Sequence, residues 1–138
     1  MEDELQPVDE GEFVYRRIPQ KFYDPELPVP IPPLAFRPNQ NDTTGISVFR
    51  SRFVKPAETL TGVDADKRNT YFVAQLAVSD LRKLGLTVLP EPDPNGPAGH
   101  AVIPELNWKA YQANKRDLRE IQLRLGKLAG EGIVLRPN

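Results

Sequence analysis

Cysteine is absent from this 138-residue chain, which removes disulfides, thiol nucleophiles and thiolate zinc sites together. Histidine is almost absent as well: His100 stands alone, so no motif built on paired histidines can hold a metal. No dense Asp/Glu loop offers magnesium or calcium a carboxylate cage. Nothing in the residues requires a cofactor, and neither a metal nor a cofactor is expected. No apolar run approaches the roughly 18 residues of a membrane-crossing helix, so a membrane is not an expected partner. The opening MEDELQPVDEGE lacks the basic-then-apolar layout of a secretory signal, and a cytoplasmic location is the expectation. The phosphate-cradling loops G-x-x-x-x-G-K-[ST] and G-x-G-x-x-G and the nucleophile elbow G-x-S-x-G are also missing.

What is present is a chain of one-domain length with 39% hydrophobic and 27% charged residues, enough for a core of its own. The charge is unevenly placed. Residues 1–12 carry six acids and no base, leaving 13 acids against 18 bases for residues 13–138. An acidic, poorly apolar leader reads as disordered, so the division is a leader over 1–12 and one domain over 13–138.

Within that domain FVYRRI reads as a short strand closed by Pro19. Seven prolines follow between 19 and 38, too many for helix or ladder, so this segment is an extended strap. Its spaced apolar residues Leu27, Val29, Ile31, Leu34 and Phe36 place it across the body. The stretch 46–53 reads as a second strand, and KPAETL as one helical turn with Pro56 at its start. The run 70–85 carries apolar residues at helical spacing with Gly85 as a cap, and is expected to be a core helix over 70–84. LTVLP and HAVIP are expected to pair as a hairpin across an Asn95-Gly96 reversal. A basic amphipathic helix is expected over 107–128, with Tyr111, Leu118 and Leu125 forming a heptad seam and Asn114 as a polar insertion of the kind that fixes oligomer state. Residues 133–135 suit an edge strand. The fold class that results is α+β: a small antiparallel or mixed sheet packed on two main helices, with the proline-rich strap outside.

The chemistry-bearing residues are mostly arginines. Arg16 and Arg17 follow one apolar stretch, Arg50 and Arg52 end another, and neighbouring strands would gather two or three of them on one sheet face. Such a cluster suits an acidic partner, a phosphate or the protein's own leader. His100 sits after a glycine at a loop-to-strand junction, where functional residues often lie. Arg16, Arg17, Arg50, Arg52 and His100 are the candidate partner-binding residues. The reading these features favour is a small non-enzymatic accessory or regulatory protein that binds a protein partner. The helix 107–128 is a route to a homo-oligomer. Two alternatives stand beside it. The basic helix, with six bases against two acids, would track phosphates in a nucleic-acid-binding protein. An enzyme acting on NAD or a nucleotide would use His100, Arg37 and Arg50, and requires those three to line one deep cleft. A continuous basic stripe joining the arginines to the helix would favour nucleic acid.

The order YRRI, FRP, GISVFR and AETL over residues 13–60 resembles the opening of the ADP-ribosyltransferase-like RES toxin domain. That resemblance implies a dinucleotide held by Arg16 or Arg17, Arg37 and Arg50. No glutamate follows at the position where that family carries its catalytic one. The wider layout from YRRI through GISVFR to HAVI is similar to small bacterial proteins, which implies a bacterial origin and one domain.

Overall fold

The computed structural model describes residues 3–137. Six strands form one sheet: β1 (Phe13–Pro19), β2 (Ile46–Arg50), β3 (Tyr71–Ala77), β4 (Leu89–Pro90), β5 (His100–Ile103) and β6 (Ile133–Leu135), in the order β4-β5-β2-β1-β3-β6 with every pairing antiparallel. The helices are α1 (Val78–Lys83), α2 (Trp108–Ala113) and α3 (Lys115–Glu131). The architecture is α+β, and among the described residues no helix is long and apolar enough to cross a membrane.

The expected helix 70–84 is wrong for most of its length. Tyr71–Ala77 is the longest-paired inner strand, matched with β1 from Phe13↔Ala77 to Pro19↔Tyr71, and helix begins only at Val78. Both faces of β3 are covered: Leu76 and Phe72 join the main core while Val73 joins a second cluster with Tyr15 and Phe49. A strand buried on both faces loses its alternation, and its apolar run then mimics a helical stripe.

The main core lies between one sheet face and the layer of α1, α3 and the strap, around Val14, Ile18, Val48, Leu81 and Leu125. The strap is not the extended segment expected: 3-10 turns form at Gln20–Phe22 and Pro33–Phe36, with turns and bends between them. Proline bars ladder bonding but suits the first position of a helical turn. The strap also enters this core. Ile31 and Phe36 are fully buried, each worth about 1.5–3 kcal/mol of burial, while Leu27 and Leu34 stay exposed. Helix α3 crosses the strap at Gly126, where a Cβ would run into the Ile31 carbonyl oxygen. Only glycine permits that approach. The second sheet face is covered by a 3-10 turn over Pro56–Gly62, the single helical turn expected there.

Three further expectations change. The helix over 107–128 is two helices, because Asn114 leaves helical dihedrals (φ −138°, ψ 49°) and α3 restarts after it. Asn114 is exposed, and Leu118 and Leu125 pack into the protein's own core, so the heptad seam is used internally. The hairpin forms, but only Leu89 and Pro90 of its first arm enter the ladder. The acidic leader is the third. Residues 3–12 are bound rather than loose, and Met1 and Glu2 lie outside the described residues. Val8 is buried, its carbonyl accepts from Arg82 Nη2 at 2.7 Å, and Glu4 Oε1 accepts from the Gly99 amide at 2.6 Å.

Arg50 holds the leader in place. Its side chain has no exposed surface. Nε and Nη2 donate to the two carboxylate oxygens of Glu12 at 2.9 and 2.8 Å, a bidentate pair. Nη1 donates to the carbonyls of Glu4 and Gln6 at 3.1 and 2.8 Å, and Nη2 reaches Pro7 O at 3.4 Å. Burial raises the Glu12 carboxyl, but the hydrogen bonds from Arg50 and the Asp9 amide, with the charges of Arg50 and Arg52, outweigh burial and hold it below the usual carboxylate value.

Candidate functional site

The ladder between β1 and β2 is only two pairs long, Val14↔Arg50 and Tyr15↔Phe49, whereas β1 continues along β3 to Pro19. Beyond Tyr15 the two strands part, and Arg16 fills the opening. Its Nη1 donates to the Ser47 carbonyl and its Nη2 to the Ala35 carbonyl, both at 2.9 Å. One guanidinium thus joins β1, β2 and the strap. Nε is buried without a partner, and Arg16 has no ion pair among the described residues. Burial lowers its pKa to about 10, opposed by Asp42 and reinforced by Arg17. The group is therefore charged at neutral pH, with Asp42 as a nearby counter-charge that forms no ion pair with it, an arrangement that an anionic ligand would relieve further.

This opening is the floor of a cleft of about 600 Å³. Arg17, on the opposite sheet face, reaches the same cleft; its Nη1 donates to Thr59 O at 3.3 Å and its guanidinium lies 4.9 Å from the centre of the Phe49 ring. Burial lowers the Arg17 pKa, partly opposed by Tyr71. Arg37 and Lys67 stand exposed along the cleft, and Phe22 and Tyr71 give it aromatic walls. Asp42 and Asp64 are its acids, so bases outnumber acids by four to two.

A second cleft of about 630 Å³ runs between the strap and the start of α3, and shares Leu34 and Arg37 with the first. Tyr111, Lys115, Arg116 and Arg119 line it, with no acid among its lining residues. The Tyr111 ring packs with Trp108 at 6.1 Å between centres. Gln122 closes the floor. It is 3% exposed, and its Nε2 is buried without a hydrogen-bond partner, a donor left open toward an acceptor oxygen.

The sequence-derived candidates are thus redistributed. Arg16, Arg17 and Arg37 meet in one cleft. Arg50 belongs to the interior and the leader, and Arg52 lies exposed on the turn after β2, its guanidinium 4.9 Å from the centre of the Phe53 ring. The cleft that would unite Arg37, Arg50 and His100 is not formed. His100 lies in a smaller neighbouring pocket of about 260 Å³, together with Arg17 and Ser47.

Compared with known proteins, the chain matches no family model, no curated protein and no solved structure.

Lys67, Tyr71, Tyr111 and Gln122 were not legible as site residues. Tyr71 was assigned to a helix, which pointed it elsewhere. Gln122 carries no signal of its own in the sequence, because its unpaired amide is a consequence of the strap lying over α3.

Proposed function

We propose that the protein binds single-stranded nucleic acid along the two joined clefts. The observation that carries this reading is their continuity through Arg37: seven bases face two acids along one path, although the whole chain is at net charge −1. Cations strung along a path suit a strand of phosphates better than a single anion. Aromatic side chains line the same clefts as those cations, Phe22 and Tyr71 in the first and Tyr111 in the second. Backbone-tracking charge combined with stacking rings is the arrangement that takes unpaired bases without regard to sequence.

A protein partner, the reading preferred from sequence, relied on an exposed arginine face. With Arg50 enclosed by the leader, that face loses one of its members. The route to a homo-oligomer through α3 loses its apolar seam in the same way.

The test is fluorescence anisotropy with a labelled 12-nucleotide single strand. Arg37→Glu, at the junction, is expected to weaken binding at least tenfold, and Lys83→Glu, the same charge change on α1, to leave it within twofold. Equal losses in both variants would reduce the interaction to net charge and defeat the proposal.

A further inference from the structure

We infer that Ser47 and His100 form a nucleophile–base pair, giving the protein an acyl-transfer activity on esters that carry an anionic group. The two residues are diagonal neighbours on adjacent strands, since β2 and β5 pair Ser47↔Val102 and Phe49↔His100. His100 Nε2 lies 2.9 Å from Ser47 Oγ, and Nδ1 lies 2.7 Å from the Glu91 carbonyl oxygen. That carbonyl can only accept, so Nδ1 carries the proton and donates. In the neutral ring Nε2 then holds a lone pair, and Ser47 Oγ–H donates to it. This is the polarity a general base needs toward a hydroxyl nucleophile.

The imidazole is fixed by these two hydrogen bonds and by packing. The Phe49 ring meets it edge-on at 5.5 Å, and the Glu91 amide donates to the His100 carbonyl at 3.0 Å. The Glu91 carboxylate lies 4.0 Å from Nδ1. The pair opens into the pocket of about 260 Å³ that Arg17 also lines. Arg17 is the cation of that lining and Asp93 its acid; the Arg17 guanidinium is the group that would face a developing oxyanion and a substrate anion. Arg17, Ser47 and Gly62 line both this pocket and the first cleft of the proposed nucleic-acid path, but the reaction does not depend on that reading.

In the reaction Ser47 Oγ bonds to the ester carbonyl carbon while its proton passes to His100 Nε2, and the carbonyl electron pair moves onto oxygen facing Arg17. Collapse restores the carbonyl and breaks the bond to the leaving oxygen, which takes the proton from Nε2. Water then attacks the acyl-serine, gives its proton to Nε2, and Ser47 Oγ departs with that proton.

The experiment is labelling with a fluorophosphonate, read by intact mass and peptide mapping. Folded wild type is expected to gain one adduct, on Ser47, at a rate at least 100-fold above the same chain unfolded in guanidinium. His100→Gln keeps a side chain able to hydrogen-bond Ser47 but removes the base, and is expected to lower the rate about 100-fold or more. Ser47→Ala should remain unlabelled. An adduct elsewhere, equal rates for folded and unfolded wild type, or a folded His100→Gln variant that labels at the wild-type rate would overturn the assignment. The comparison of folded and unfolded wild type holds even where a variant fails to fold, and a failed oligonucleotide titration leaves it untouched.

Discussion

Replacing Arg50 with methionine is expected to be among the most damaging single changes in the protein. Methionine fits much of the stem but offers no donors. Glu12 would keep its carboxylate with two of its three hydrogen bonds gone, and the carbonyls of Glu4, Gln6 and Pro7 would lose their donor. Breaking a buried ion pair from one side costs about 3–5 kcal/mol. Domains of this length have about 7–20 kcal/mol in total, so this is a large share. With an unfolding entropy of about 2.1 cal/mol/K per residue, each kcal/mol moves Tm by about 3–4 °C, and a drop of about 10–17 °C follows. Circular dichroism melting measures it. Limited proteolysis should show residues 3–12 cleaved at low protease in the variant and protected in the wild type. A Tm within 3 °C of wild type, with the leader still protected, would refute the role given to Arg50.

The remaining predictions concern the same contacts and the clefts. Because Glu12 is held below its usual pKa, its contribution is complete above the unfolded carboxylate value near pH 4.3 and is lost as pH falls through the folded value. Melting of Glu12→Gln against pH should therefore be flatter than wild type below about pH 4.5 and lower than wild type at pH 7. Gly126→Ala drives a methyl group into the Ile31 carbonyl, and chemical denaturation should report a loss of about 1–3 kcal/mol as α3 lifts from the strap. Gln122→Leu removes a buried donor that has no partner; relieving a cost of about 1–3 kcal/mol should leave Tm unchanged or raised. Tyr71→Ala and Tyr111→Ala should each weaken oligonucleotide binding by about 1–3 kcal/mol, the usual worth of one stacked base, measured by anisotropy.

The parts of the fold that could be read from sequence were those with local grammar. Pro56 announces a helical turn, which is present, and the expected strand over 46–53 forms over Ile46–Arg50 before the chain turns. The prolines at 28, 30, 32 and 33 exclude a ladder but not the 3-10 turn that starts at Pro33. Residues 71–77 defeated the same grammar because β3 has core on both sides. The leader was misjudged for a related reason. Its acids read as solvated charge, and only the tertiary placement of Arg50 turns Glu12 into a buried partner. The candidate site shows the same limit. Arg16, Arg17 and Arg37 were recognised by type, yet the opening that Arg16 fills depends on where β1 and β2 part, and the pairing of Ser47 with His100 depends on the register of β2 against β5. Residues 47 and 100 share no local pattern that would bring them together.

The most direct test of the nucleic-acid path is a two-dimensional amide NMR titration of the wild type with a 12-nucleotide single strand, run at 50 and 200 mM salt. The account predicts shifts at Arg16, Arg17, Tyr71, Tyr111, Lys115 and the Gln122 side-chain amide, contiguous through Arg37 and absent from the β4 edge. It also predicts that affinity falls by about 50-fold to 900-fold between the two salts for about four to seven phosphates contacted. Shifts confined to one cleft would leave a single-anion site in place of a strand path. No shifts in either cleft, or an affinity indifferent to salt, would contradict the account outright.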